Sequence, residues 1–265
     1  MKLNVTLFIS FLVLNSAAQA WQVHSGDFRE WQNSIQALPS VYDQLAEYFK
    51  KNSNLPQDQA SQYVKTLPQY LKEKSFAEMT AVMANYDNNS NCKTFLNLNF
   101  VNQLAPSSPV SSREFEKEMI RIESVSCLGL RSLDSVFEVS MSDDFQKATV
   151  NGLKQIKSDP QSNQICHQLS VTGLGFSDYC FTENIWKDGE SYVIHSFNEV
   201  NSKKATAFVY FREILTVVRK LKSGEVMVYN LAYGRGPDLP FHSIVLGMIK
   251  SQHPTYISEL QTRSH

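Results

Sequence analysis

The chain has 265 residues, 42% hydrophobic and 19% charged, with 25 lysines and arginines against 26 aspartates and glutamates. This ordinary globular composition excludes collagen-like, disordered and coiled-coil proteins. A formal net charge of −1 provides no overall field that would attract nucleic acid or an anionic membrane surface.

The amino-terminal residues have the features of a secretory signal peptide. Lys2 supplies a positive start, residues 5–14 (VTLFISFLVL) form an apolar run, and Ala18 and Ala20 make a small-x-small cleavage site. The apolar run is about half as long as the ~20 residues that a membrane span needs. We therefore expect residues 1–20 to be removed near Ala20, leaving a periplasmic or secreted protein that does not span a membrane.

Residues 21–112 are expected to form a mostly helical segment. Between Phe28 and Met83 the apolar residues recur at helical spacing in four stretches. Residues 92–104 fit a helix and a strand equally well. Residues 105–112 (APSSPVSS) have the composition of a linker, so we expect the segment to end there.

An α+β domain is expected over residues 113–265. Alternation of Phe137, Val139 and Met141 with polar residues predicts a strand, and residues 143–157 predict a short helix with one apolar side. Five or six antiparallel strands follow as a meander, of which residues 205–221 (ATAFVYFREILTVVRKL) are rich in β-branched and aromatic side chains.

The last element is predicted to be a long amphipathic helix. Its apolar residues share one face at positions i, i+3, i+4, i+7 and i+8: Phe241, Ile244, Val245, Met248 and Ile249. Pro254 should kink this helix before its stripe continues, and His242 and His253 fall on or near it. An antiparallel sheet curved around this helix would bury one sheet face, and the gap between them can become a cavity.

The four cysteines, an even number, suit an oxidising compartment and allow three disulfide pairings. Cys166 and Cys180 are equidistant from Gly173, so a hairpin centred on that glycine places them opposite each other. We therefore predict a Cys166–Cys180 disulfide, and Cys92–Cys127 follows by elimination. The rival interpretation is a metal site of cysteines with His167, but the sequence has no C-x-x-C spacing.

Residues 120–263 resemble the helix-grip fold of the START and polyketide-cyclase-like proteins. The resemblance rests on the order of elements and on the end of the chain, residues 239–249 (LPFHSIVLGMI) and 254–260 (PTYISEL), which is similar to the START terminal helix. It is one of pattern, without a diagnostic motif. The resemblance implies a carrier or sensor of a lipid or another apolar molecule, held between the sheet and the terminal helix.

The strongest candidate for a charged group inside such a cavity is Arg212. Strand alternation puts Phe208 and Tyr210 on the same face as Arg212, and Glu213 on the other. We predict that the guanidinium binds a ligand carboxylate or phosphate while aromatic side chains hold the apolar part. The full predicted ligand-binding set is Phe208, Tyr210, Arg212, Tyr229, His195, Ile244 and Met248.

Two other functions are considered. His167, His195 and Glu183 would form an acid/base cluster of a hydrolase or cyclase-like enzyme if neighbouring strands aligned them. Alternatively, the helical first half would bind a protein partner through an uncovered apolar surface. The sequence contains no catalytic, dinucleotide-binding or metal-binding motif, so we predict no cofactor, no metal and no catalytic residue.

Overall fold

In the computed structural model of the chain, the described residues are 20–26, 77, 79, 81–86, 92–100, 119–171, 175–198, 211–235 and 242–265. Within these ranges the strands and helices with defined bounds are β1 (Val23–Ser25), β2 (Phe95–Phe100), β3 (Met119–Leu130), α1 (Leu133–Ser140), α2 (Asp143–Thr149), β4 (Leu153–Asp159), β5 (Gln164–Val171), β6 (Gly175–Asp188), β7 (Ser191–Asn198), β8 (Phe211–Lys220), β9 (Glu225–Arg235) and α3 (His242–Arg263).

All the described strands belong to one sheet, in the order β2-β3-β9-β8-β7-β6-β5-β4. Strands β5 to β9 form the predicted antiparallel meander, β4 adds a strand beside β5, and β9 returns to pair with β3. Strand β1 lies outside this path and pairs in parallel with β6, opposite Ile185. The described chain is therefore a mostly antiparallel sheet with a C-terminal helix, as expected.

The region predicted to be the helical first half contributes two strands to this sheet. Strand β1 lies at its start, and β2 (Phe95–Phe100), at the sheet edge, falls within the ambiguous residues 92–104. Residues 77, 79 and 81–86 are helical, so the fourth predicted stretch, which ends at Met83, is helical where it is described. The other predicted helices of residues 21–112 and the linker lie outside the described residues.

The strand predicted at Phe137, Val139 and Met141 is wrong, because these residues belong to α1 and the turn that ends it. Phe137 and Met141 are four positions apart, a spacing that fits a helical face as well as alternation. The serine caps at the starts of α1 and α2 favour the helix over the strand. Ser132 accepts a hydrogen bond from the backbone N–H of Ser135 at the start of α1, and Ser142 caps α2 in the same way.

The helix predicted over residues 143–157 is too long. Helix α2 ends at Thr149, and Gly152 follows with a φ of +76°. Leu153 and Ile156, predicted on the apolar side of the helix, instead lie in β4. The glycine makes this sharp exit possible, because positive φ costs it no Cβ clash.

Gly152 should tolerate no side chain. A Cβ at this position would lie 2.5 Å from the backbone oxygen of Ser170, whose N–H donates to the Gly152 carbonyl. We expect Gly152→Ala to lower the free energy of unfolding by about 2 kcal/mol or more, from backbone strain together with this clash. Urea unfolding would measure the loss.

Gly189→Ala is the matched control. Gly189 also has a positive φ, +48°, but no atom lies within 4 Å of its Cβ position. Only the conformational cost of about 1 kcal/mol should appear there. Equal losses in the two variants would contradict the proposed clash with Ser170.

The structure forms the two disulfides that the sequence predicts. Cys166 and Cys180 are paired directly across β5 and β6, in the register centred on position 173. Cys92, just before β2, is bonded to Cys127 in β3. These pairings exclude the rival metal site, because the two cysteines beside His167 are not free thiolates. Disulfides persist in oxidising compartments, so the two bonds indicate an extracytoplasmic protein.

One sheet face, which we call the α3 face, packs against the three helices. Its buried apolar side chains form a single cluster with residues of α1, α2 and α3: Leu128, Val136, Phe137, Met141, Phe145, Ile165, Ile185, Tyr192, Ile194, Val218, Val226, Val228 and Leu260. Phe137 of α1 stacks on Tyr192 with ring centroids 4.0 Å apart. We call the opposite side of the sheet the far face.

Candidate functional site

A chain of hydrogen bonds crosses the α3 face at the centre of the sheet. Register places Ser124 of β3, Asn230 of β9 and Thr216 of β8 side by side. The Thr216 hydroxyl donates to Asn230 Oδ1 over 2.7 Å. Asn230 Nδ2 lies 3.5 Å from Ser124 Oγ and donates to the hydroxyl of Tyr256, on α3, over 3.3 Å. The C-terminal helix is thus tied to the middle of the sheet by polar side chains.

Three α3-face residues of these central strands are more exposed than their neighbours on the far face, although Val218 and Val228 of the α3 face are fully buried. On the far face Leu215, Val217 and Leu231 are at most 4% exposed. On the α3 face, their neighbours Thr216 and Asn230 are only half-buried, as is Ile214. Strands β8 and β9 have a strand on either side, so this exposure requires open space above the sheet. We call this space the inner groove and define it by Ile214, Thr216, Asn230 and Tyr256.

Two polar side chains of α3 lie beside the inner groove. His253 and Tyr256 are three positions apart, so they share a helix face, and their rings stack with centroids 6.4 Å apart. Leu260, fully buried, continues the same face toward the end of the helix. Phe145 of α2 contacts the Tyr256 ring edge-on, with ring centroids 5.3 Å apart. This contact restricts the orientation of the tyrosine ring.

Burial favours the uncharged form of both groups. Desolvation raises the pKa of the Tyr256 phenol, opposed by the hydrogen bond from Asn230. Desolvation also lowers the pKa of His253. Helix α3 therefore presents a neutral phenol and a neutral imidazole to the inner groove.

Further polar groups lie on the α3 face toward β5 and β6. Glu183 is 5% exposed, and its carboxylate accepts a hydrogen bond from the hydroxyl of Ser196 on β7. His167 Nδ1 lies 3.2 Å from the hydroxyl of Tyr179, and Phe181 packs edge-on against both rings. This side of the sheet is thus less apolar than an ordinary core.

The structure separates two of the predicted ligand-binding residues from the inner groove. Tyr229 pairs with Val217, and His195 pairs with Leu215, so both lie on the far face. The Tyr229 hydroxyl lies 3.4 Å from Glu123, which forms an ion pair with Arg121 there. Neither residue can line a ligand site on the α3 face.

The other predicted ligand-binding residues are described in part or not at all. Arg212 lies in β8 opposite Gly234, and Ile244 and Met248 lie in α3, but their side chains fall outside the described residues. Phe208 and Tyr210 also fall outside them.

The predicted acid/base cluster does not assemble. His195 lies on the far face, whereas His167 and Glu183 lie on the α3 face. His167 is opposite Tyr179, which is four positions from Glu183 in β6, about 13 Å at the usual strand rise. No two of the three side chains can share a proton, so the geometry does not support the proposed hydrolase or cyclase-like chemistry.

Sequence reasoning missed Thr216, Asn230 and Tyr256 as site residues. A signal was present, because an asparagine within the otherwise apolar residues 226–233 is disfavoured in a strand unless its amide has partners. The register that joins Asn230 to Thr216 and Ser124 links strands far apart in sequence, and alternation within one strand cannot supply it.

Among the described helices, none is long and apolar enough to cross a membrane.

No protein-family profile and no curated protein matches the sequence. Several solved structures resemble the fold. Human STARD10 matches at a TM-score of 0.42 and 10% identity, covering 69% of this chain and 77% of that chain. The di-domain ARO/CYC StfQ from the steffimycin biosynthetic pathway matches at 0.44 and 7%, covering 61% and 55%. The Zhui aromatase/cyclase from Streptomyces sp. R1128 matches at 0.39 and 9%, covering 54% and 92%.

All three TM-scores are below 0.5. A functional interpretation therefore has to come from the chain's own residues.

Proposed function

We propose that this protein binds an apolar or amphiphilic small molecule in the inner groove, between the sheet and α3, without catalysis. The observation that carries the proposal is the exposure of Ile214, Thr216 and Asn230 on the α3 face, next to buried neighbours on the far face. Solvent reaches Thr216 and Asn230 at the centre of the sheet, where a filled core would leave them buried. A groove of mixed apolar and polar lining under a helix suits a ligand with an apolar body and a polar end.

The residues around the inner groove support this class of ligand. Ile194, 4% exposed, lies directly opposite Thr216, and the half-buried Ile214 adds a second apolar wall. The hydrogen-bonded side chains of Thr216, Asn230 and Tyr256 offer a defined polar point among them. Apolar contacts would supply most of the affinity, and the polar point would orient the ligand.

We further propose that the protein works in the periplasm or outside the cell, after removal of residues 1–20. The chain that follows the predicted cleavage site is built into the fold. Trp21 packs against the α3-face core cluster, and the backbone N–H of Gln22 donates to Asn163 Oδ1 over 2.9 Å. Val23 then pairs with Ile185 in β6.

Binding of the uncharged fluorophore N-phenyl-1-naphthylamine tests the proposed function. We expect the purified protein to enhance its fluorescence with saturable, one-site behaviour, because the bound probe would leave water for the apolar side chains of the groove. Dodecyl amphiphiles added in excess should displace the probe. A protein that neither binds the probe nor carries extractable lipid would end this proposal, even if its fold is confirmed.

A further inference from the structure

We infer that the polar end of the ligand is an uncharged hydroxyl group, and that Tyr256 and His253 bind it from α3. This inference rests on the proposed function and adds the chemical class of the ligand. It depends on the hydrogen bonds that the two side chains leave unmade.

The Tyr256 hydroxyl has an unused donor. Its oxygen accepts a hydrogen bond from Asn230 Nδ2. The neutral phenol keeps its own proton, and among the described residues no group accepts it. A buried hydroxyl that leaves a donor unused loses free energy relative to water, so such donors normally have a partner. A ligand oxygen in the inner groove would supply the acceptor.

His253 has the complementary deficit, one helical turn away. Its Nε2 atom is buried and has no hydrogen-bond partner within the described part of the chain. In the neutral tautomer that carries its proton on Nδ1, Nε2 is a hydrogen-bond acceptor. A ligand hydroxyl can accept from Tyr256 and donate to His253 at once. One small polar group thus satisfies two buried atoms on the same helix face.

Charge favours a neutral group over an anion. None of the buried polar residues that are described is a lysine or an arginine. Lys187, on the α3 face near the end of β6, already forms an ion pair with Asp134 of α1 at 2.7 Å. An anion buried here without a cation would carry a large desolvation cost.

Three ligands with the same chain test the inference: 1-dodecanol, laurate and 1-methoxydodecane, each displacing N-phenyl-1-naphthylamine at neutral pH. We expect dodecanol to bind at least about tenfold more tightly than laurate, which buries an unpaired charge. The methyl ether, which accepts but cannot donate, should bind about fivefold more weakly than dodecanol, the effect of one neutral hydrogen bond.

Two variants assign the preference to α3. Tyr256→Phe removes only the hydroxyl, and His253→Leu removes the ring nitrogens; each should weaken dodecanol binding about fivefold more than it weakens probe binding, because only the alcohol can form hydrogen bonds with these side chains. Tyr192→Phe is the matched control, because the hydroxyl of Tyr192 donates to Asp134 of α1, which is not part of the inner groove. It should change neither affinity. A cooperative thermal unfolding transition for each variant would show that it is folded.

The outcomes separate the inference from the proposed function. If the protein binds the probe and laurate displaces it as well as or better than dodecanol does, the hydroxyl assignment is overturned. If laurate binding is then lost in Arg212→Met, the ligand headgroup is assigned to the arginine instead. Probe binding with an unchanged dodecanol preference in Tyr256→Phe and His253→Leu also overturns it. Absence of probe binding contradicts the proposed function itself.

Discussion

Replacing Cys92 and Cys127 together by serine is expected to lower the free energy of unfolding by about 4 kcal/mol. The bond closes a loop with a sequence separation of 35, and the loop-entropy relation gives a value of this size for such a loop. Strand β2 also lies at the edge of the sheet, where β3 is its only neighbour in the strand order. The disulfide is therefore one of the few links that hold β2 to the sheet. Urea unfolding without reductant measures the loss.

The second disulfide provides the control. Cys166→Ser with Cys180→Ser removes a bond of sequence separation 14, for which the same relation gives about 3 kcal/mol. Strands β5 and β6 remain paired over the whole of β5. Amide hydrogen exchange should therefore accelerate in β2 of the first variant but remain slow in β5 of the second. A larger loss of stability in the second variant would contradict this account.

The sequence predicted the meander well because each strand and turn of a meander is determined by neighbouring residues in the chain. The Cys166–Cys180 hairpin needed only alternation and symmetry about Gly173, and the register has that symmetry. Short helices were harder to predict. Phe137 and Met141 fit two periods at once, and only the serine caps distinguish a helix from a strand.

The candidate site was predicted less well, because it is assembled across strands. Alternation within one strand assigns Tyr229 and Asn230 to opposite faces, but it does not say which face meets the terminal helix. The hydrogen bond from Asn230 to Tyr256 answers this question, and it joins residues of different elements. Register places Tyr229 and His195 on the far face, and no pattern within a single strand shows this.

Filling the inner groove is expected to produce the largest functional effect. Thr216→Phe places a phenyl ring at the centre of the α3 face, where the threonine is half-buried and opens onto the groove. If that space receives the ligand, the ring occupies it without displacing α3. We expect the affinity for N-phenyl-1-naphthylamine to fall at least about tenfold, or ~1.4 kcal/mol, with the melting temperature changed by only a few degrees.

Thr255→Phe makes the same replacement on the exposed side of α3, next to Tyr256 in sequence. It controls for the added apolar surface and for the loss of a threonine, and should bind the probe as the unmodified protein does. The Thr216 hydroxyl also donates to Asn230, so Thr216→Val separates the loss of this hydrogen bond from the filling of space.

The probe affinity of Thr216→Phe, relative to that of Thr255→Phe, tests the ligand site most directly. The account predicts a folded Thr216→Phe protein that binds at least about tenfold more weakly than Thr255→Phe. A folded Thr216→Phe protein with unchanged affinity would place the ligand elsewhere. Destabilisation of that variant by about 1–3 kcal/mol, the usual cost of overpacking a core, would show instead that the space beneath α3 is already filled.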